Sequence, residues 1–138
     1  MCLYTDINTR NKPKPKRATE DIICYKVVRR NGAPFYYTME DVTGKQLFYK
    51  KGWHYYDTAK EKFTISRFNQ YYSWQIEKGF HSFLDVSIAH ADYIYDFSNG
   101  TVIMLQCRIP KNALYYVNHK HYVSSEIIVD KVLKKYQK

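Results

Sequence analysis

The chain has 138 residues, which suits one domain and is too short for two of common size. Hydrophobic residues make up 45% of it, so a core can form, but no apolar run approaches the roughly 18 residues of a membrane-spanning helix. The N-terminus lacks the charged-then-apolar order of a signal peptide. Cys2, Cys24 and Cys107 are odd in number and show no metal-binding spacing, which indicates a reduced, cytoplasmic protein.

The formal net charge of +9 is concentrated in two tails. Residues 1–30 hold eight Lys or Arg against three acids, residues 131–138 hold four Lys and no acid, and the residues between carry ten of each. A domain that binds the phosphates of duplex DNA is expected to carry its basic residues on a folded surface. The tails therefore predict at most weak, non-specific and salt-sensitive attraction to nucleic acid.

In chain order, residues 1–20 are expected to form a flexible basic arm, because the proline-interrupted stretch 8–17 has almost nothing apolar to bury. A single domain should then occupy residues 21–138. The β-branched and aromatic run 22–28 predicts the first core strand, and Asn31-Gly32 marks a turn. Short extended pieces are expected at 35–38, 46–50 and 53–56, and the stretch 67–77 fits either a helix or a loop followed by a strand.

The second half predicts a helix and several strands. Ser82 and Asp85 form an S-x-x-D capping pattern, and the apolar spacing that follows predicts a helix over 82–95. A strand is expected over 101–109 and ends before Pro110. Further strands are expected at 115–117, 122–123 and 126–133. This order predicts the α+β class, with a twisted, mainly antiparallel sheet and one or two helices.

Two side-chain patterns have an ordinary structural explanation. His119 and His121 would share one face of an extended segment, but no acid or cysteine clusters nearby, and metal sites need three or four ligands. We therefore predict no metal site there. The chain also has 15 tyrosines, which suit half-buried strands as well as stacking on nucleobases, and we expect only two or three to touch a ligand.

Three short motifs occur in a suggestive order. C-Y-K-V-V lies at 24–28, G-F-H-S-F at 79–83 directly before the predicted helix, and S-S-E-I-I-V at 124–129. Over residues 22–132 this layout resembles the ADP-ribosyltransferase fold, in which comparable elements surround the nicotinamide end of NAD. The resemblance implies Glu126 as the catalytic group if the protein is an enzyme. It implies ligand contacts from the residues of these motifs and their neighbours: Tyr25, Lys26, Arg29, His81, Ser82, Phe83 and Tyr122.

Two departures favour binding over turnover. Lys26 stands where the family has Arg or His and cannot make a planar, bidentate contact. Ser124 stands where arginine-modifying members have Gln or Glu. We therefore expect a protein that binds an ADP-ribose, NAD-like or cyclic nucleotide as ligand, with no separate cofactor. The alternatives are an active transferase or NAD-cleaving enzyme using Glu126, and a nucleic-acid-binding accessory protein that uses the tails and exposed tyrosines.

The stretch G-F-H-S-F leaves two possibilities open. Ser82 could cap the helix while His81 and the free helix N–H groups form one wall of a nucleotide cleft. The stretch could equally be an ordinary capped join with His81 simply exposed. The chain is also similar to small proteins of phages and gut bacteria that begin with M-C-L-Y-T. That similarity implies no particular function. If the protein is phage-encoded, the expected nucleotide binding suggests that it acts in the host cytoplasm and sequesters a nucleotide immune signal.

Overall fold

The computed structural model describes residues 3–4, 11–33, 49, 52–55, 63, 65–67, 74–76 and 78–136. The predicted extended pieces at 35–38 and 46–50 lie outside them, apart from Tyr49. The strands, helices and one short 3₁₀ helix are β1 Leu3–Tyr4, β2 Lys16–Arg17, β3 Ile22–Arg29, β4 Gly52–Tyr55, β5 Ile65–Arg67, β6 Trp74–Ile76, β7 Phe80–Phe83, α1 Val86–Asp92, α2 Ile94–Asn99, β8 Val102–Ile109, β9 Leu114–Val117, β10 His121–Ser124, β11 Glu126–Val132 and η1 Lys134–Tyr136.

Among the described strands, eight form one sheet in the order β2-β9-β10-β7-β3-β8-β11-β4. Three others form a small sheet in the order β1-β6-β5, and every pairing in both is antiparallel. With two helices, this confirms the α+β class with a mainly antiparallel sheet. Only Ser125 separates β10 from β11, yet β7, β3 and β8 lie between them in the sheet order. The large sheet must therefore curl back on itself.

The curl gives the sheet two different faces. Side chains on the inside form what we call the inner core, which draws on β3, β7, β8 and β11 and includes Cys24, Val28, Phe80, Leu105, Cys107, Ile127 and Val129. Because successive side chains alternate across a strand, Val27 and Met104 lie on the opposite, outer face. There they pack against Ala89 of α1 and Phe97 of α2.

The start of the first helix differs from the prediction. α1 begins at Val86 and its N-cap is Asp85, whose Oδ1 accepts a hydrogen bond from the Ser87 N–H at 2.7 Å. Ser82 instead lies inside β7, opposite Tyr122 of β10, so the prediction that it caps the helix is wrong. The predicted single helix is also divided at Tyr93, whose φ of −119° is not helical. Pairing with β10 holds Ser82 in extended conformation and leaves Asp85 as the nearest capping side chain.

The folded structure begins before residue 20. Lys16 and Arg17 pair with Tyr115 and Leu114 of β9, and Ala18 is only 2% exposed. The part of the predicted flexible arm from Lys16 onward therefore belongs to the sheet. Backbone pairing and one buried alanine hold this segment, and neither needs the large apolar side chains on which the prediction was based.

The clearest sequence patterns correspond to real elements. The predicted strands at 22–28, 101–109 and 126–133 are β3, β8 and β11, and those at 115–117 and 122–123 lie within β9 and β10. The ambiguous stretch 67–77 contains a strand, β6, at its end, while 68–73 lies outside the described residues. No helix of the described part is long and apolar enough to cross a membrane.

Candidate ligand-binding cleft

Lys26 lies in the middle of the sheet with its side chain on the inside. It lies on the same face of β3 as Cys24 and Val28 of the inner core, and its partner across the strands is Leu105. Its ammonium group donates a hydrogen bond to the main-chain carbonyl of His81 and lies 4.6 Å from the centre of the Tyr49 ring. Burial lowers the pKa of Lys26 to about 8. In the described part of the chain no carboxylate forms an ion pair with it.

His81 and Ser82 are both buried, with 6% and 2% of their surface exposed. Ser82 faces the inside, next to the Cys24 thiol. Alternation along β7 places His81 on the outer face, where its neighbour across the strands is Val123. The main chain at His81 therefore meets Lys26, but the two side chains leave opposite faces of the sheet.

The Glu126 and Lys26 side chains leave opposite faces of the sheet. Ile127, next to Glu126, belongs to the inner core, so Glu126 lies on the outer face of β11. The main chain of Glu126 is close to β7, because the Ser124 hydroxyl donates to the Glu126 carbonyl at 2.9 Å and reaches the Phe80 carbonyl at 3.5 Å. Lys26, His81 and Glu126 thus do not open into one cleft, and the geometry gives the transferase-like arrangement no support.

The predicted aromatic contacts are used largely in packing. Phe83 is 2% exposed and its ring lies edge-on to Tyr93 at 6.2 Å. Tyr25 is half-buried opposite Phe83 on the helix side, and Tyr122 is half-buried on the inside of the sheet. Arg29 is exposed at the end of β3. These positions agree with the tyrosine-rich sheet expected for most of the rings.

A cleft of about 360 Å³ opens where the end of β3 meets the end of β11. Its wall is apolar and comprises Tyr49, Ile103, Leu105, Val129 and Val132. Its polar lining comprises Arg30, Asn31, Asp130 and Lys131. None of these was among the predicted contacts. The Asn31-Gly32 turn was visible in the sequence, but its nearness to residues 129–132 was not.

The Asn31-Gly32 turn builds one side of the cleft. Gly32 has φ +89°, its N–H donates to the Arg29 carbonyl at 2.8 Å, and its own carbonyl accepts from the Tyr49 N–H at 2.7 Å. A Cβ at this position would lie 2.5 Å from the Tyr49 carbonyl oxygen. The side-chain carbonyl of Asn31 accepts a hydrogen bond from the Ala33 N–H at 3.0 Å. The turn therefore holds Arg30 and Asn31 in defined positions against Tyr49.

A β-bulge in β11 builds the other side. Val129 is opposite Cys107 and Lys131 is opposite Gln106, so Asp130 is an extra residue in the ladder. The bulge lets Val129 and Val132 both face inward although they are three positions apart, an odd number that would place them on opposite faces of a regular strand. Such bulges re-aim side chains and occur frequently beside functional sites.

Two basic residues, Arg30 and Lys131, belong to the described lining of the cleft. The Asp130 carboxylate accepts hydrogen bonds from Arg108 Nε at 3.0 and 2.9 Å and is neutralised there. Asp130, and after it Asp21 at 2.8 Å, raise the pKa of Arg108, which stays protonated. The Lys26 ammonium, which forms no ion pair with a carboxylate of the described residues, lies against the Tyr49 ring. The cleft therefore favours a small anion that has an apolar part.

Neither His119 nor His121 is among the described residues that line the cleft. The His121 ring lies 4.8 Å from that of Phe83, and burial lowers its pKa to about 4, whereas His119 is exposed. Lys120 between them pairs with Asp92 at 2.6 Å and ties β10 to α1. Within the described ranges no group of three or more His, Cys, Asp or Glu side chains could hold a metal ion.

Comparison with known proteins gives no match. No protein-family model matches the chain, no curated protein matches its sequence, and no solved structure matches its fold. These comparisons leave the resemblance to ADP-ribosyltransferases without support from a related protein.

Proposed function

We propose that this protein binds a small anionic nucleotide, of the ADP-ribose, NAD-like or cyclic-nucleotide class, in the cleft and does not turn it over. The observation that carries the proposal is the apolar cleft flanked by Arg30 and Lys131, in which Asp130 is already neutralised. Its volume of about 360 Å³ lies within the range of small-molecule sites. Such sites are mostly apolar, with a few polar groups that orient the ligand.

The lining matches the parts of a nucleotide. A flat base fits the aliphatic wall of Ile103, Leu105 and Val129, and the phosphates fit the cations of Arg30 and Lys131. The guanidinium of Arg30 suits a phosphate because its donors form a planar fork. The Asn31 amide nitrogen remains as a donor for a base or ribose oxygen, since its oxygen already accepts from Ala33.

Lys26 adds long-range attraction for an anion. A buried cation without a carboxylate partner is costly, and proteins usually pair such charges. Its ammonium lies on the Tyr49 ring, and Tyr49 also lines the cleft. The positive potential behind this wall raises the local concentration of anions.

Binding without turnover follows from the position of Glu126. Val129 is the first cleft residue of β11, and Glu126 precedes it by three residues, about 10 Å along the strand, on the outer face. A nucleotide in the cleft would therefore be held away from this carboxylate. A protein that holds a nucleotide signal without cleaving it sequesters that signal, which is the role expected of a phage protein acting against host immunity.

The experiment is a calorimetric and thermal-shift panel of ADP-ribose, NAD, cyclic nucleotides and the matching nucleosides. A ligand at about 100 times its Kd should stabilise the protein by about 2.7 kcal/mol, and the nucleosides should bind much more weakly because they lack phosphate. Mixtures analysed by chromatography should contain unchanged NAD. The proposal fails if no phosphate-containing member of the panel binds at millimolar concentration.

Three substitutions locate the site. Arg30→Gln and Lys131→Gln should each weaken binding at least tenfold, because a hydrogen bond to a charged group contributes roughly 1.5–3 kcal/mol. Lys134→Gln removes a charge from an exposed residue outside the lining and should have little effect. Glu126→Gln should also bind normally. NAD cleavage that disappears in Glu126→Gln would instead support the transferase alternative.

A further inference from the structure

The segment before the first core strand forms an ordered row of cations. We call residues 12–17, K-P-K-P-K-R, the basic strip. Its four Lys and Arg side chains are exposed, and the two prolines between them are half-buried. The strip contains no acid, so its charge is not neutralised from within.

The strip is attached to the sheet at its C-terminal end. Lys16 and Arg17 form β2, which pairs with β9. Arg17 Nη1 donates to the Asn112 carbonyl at 2.7 Å. Ala18, directly after the strip, is buried, and its carbonyl accepts from the Asn112 N–H at 2.8 Å. The Tyr116 hydroxyl reaches the Pro13 carbonyl at 3.5 Å and adds a contact at the other end of the strip.

This attachment gives the cations a regular geometry. The lysines occupy every second position, so along an extended chain their attachment points are about 6.6 Å apart. The two prolines fix φ near −65° and carry no N–H, which keeps the strip extended and prevents a further strand from pairing with it. The ammonium groups are therefore arranged in advance along one line and are not spread over a mobile tail.

We infer that the basic strip is a binding surface for single-stranded nucleic acid. One straight row of cations follows one phosphate backbone, whereas a duplex reader presents an element that enters a groove. The half-buried ring of Tyr115 packs against the inner core and is directly opposite Lys16, and the half-buried Tyr122 lies edge-on to it at 5.9 Å. Aromatic rings beside a basic track are the usual platform for single strands, and they stack on bases regardless of sequence.

The strip and the cleft are separate surfaces. The described lining of the cleft includes none of residues 12–17. The inference therefore does not rest on the proposed nucleotide site. Strip variants should leave mononucleotide binding unchanged, so failure of one proposal is distinguishable from failure of the other.

The test measures anisotropy of a fluorescent 15-nucleotide oligothymidine with the full chain over a range of salt concentrations. Four phosphate contacts predict a slope of log K against log salt of about −2.8 for a single strand. Replacing Lys12, Lys14 and Lys16 together by Gln should reduce the slope to about −0.7 and weaken binding at least tenfold at low salt. The matched control replaces Lys134, Lys135 and Lys138 by Gln and removes the same charge from the C-terminus.

The inference stands if the strip variant loses binding and the control variant keeps most of it. Equal losses in both variants would show diffuse attraction to net charge and overturn it. Equal or tighter binding of duplex DNA, or of polyglutamate, would overturn the single-strand assignment. If the triple variant does not fold, as judged by circular dichroism, Lys12→Gln with Lys14→Gln leaves the paired residues intact, and unchanged binding in that double variant would also overturn the inference.

Discussion

Lys26 offers a direct test of the interior described above, because its charge is buried without a carboxylate partner in the described part of the chain. We expect Lys26→Met to stabilise the folded protein at pH 7. Met has similar length and no charge, so it fills the site while removing the cost of desolvating the ammonium. The substitution also loses the hydrogen bond to His81 and the contact with Tyr49, which reduces the gain.

The magnitude follows from the pKa of Lys26, which falls from 10.5 to about 8 on folding. This difference corresponds to roughly 3 kcal/mol, and after the lost contacts we expect a net gain of roughly 1–3 kcal/mol. Between pH 8 and 10.5 the unfolded chain binds more protons at Lys26 than the folded protein does, so wild-type stability contributed by this group rises with pH. The penalty is full below pH 8 and disappears as pH rises toward 10.5. From pH 7 to pH 9 the wild type should regain roughly 1 kcal/mol relative to Lys26→Met.

The assay is urea unfolding of both proteins at several pH values from 6.5 to 9, with stability taken from each midpoint and slope. Measurements stop at pH 9 because burial raises the pKa of Cys24 to about 12. Above the ordinary pKa of a cysteine, the thiol ionises in the unfolded chain but not in the folded protein, and this lowers the free energy of unfolding. Lys134→Met, at an exposed lysine, reports any general effect of pH on a lysine-to-methionine change. A wild-type to Lys26→Met difference that stays constant within about 0.3 kcal/mol would refute the buried-ammonium interpretation.

Other regions of the chain give three further predictions. Gly32→Ala should lower the free energy of unfolding by roughly 1–3 kcal/mol, because it forces a side chain into left-handed backbone against a carbonyl oxygen; a neutral effect in urea unfolding would contradict the turn geometry. Deleting residues 1–19 should lower the melting temperature by about 5 °C or more, since it removes β2 and the buried alanine after it, and an unchanged melting curve would show that this segment does not dock. In a Cys2→Ser background, Cys24 and Cys107 should not react with a thiol reagent until the protein unfolds, because both are buried and burial raises both pKa values; rapid labelling of the native protein would contradict this.

Local pattern was a reliable guide where an element's own residues decide its conformation. The β-branched runs at 22–28 and 101–109 became β3 and β8, and Asn31-Gly32 became a turn. The start of α1 was mispredicted because Ser82 and Asp85 are both good N-caps, and pairing with β10, about forty residues later, decides between them. Local composition also suggested that residues 16–18 were unstructured. It could not reveal their pairing with β9, because strand pairing uses backbone groups that every residue has.

The functional residues were also harder to predict, because their positions depend on pairing between strands that are distant in sequence. The resemblance selected Lys26, His81 and Glu126 by their order in the chain, but side-chain alternation places Lys26 on the inner face of the sheet and His81 and Glu126 on the outer face. The cleft instead joins the turn at residues 30–32 to the bulged end of β11, a hundred residues later. Composition and periodicity were enough to establish the α+β class and its main strands, because burial patterns are local. Only the tertiary structure decided which charges meet, since that depends on sheet order, curl and one extra residue in a ladder.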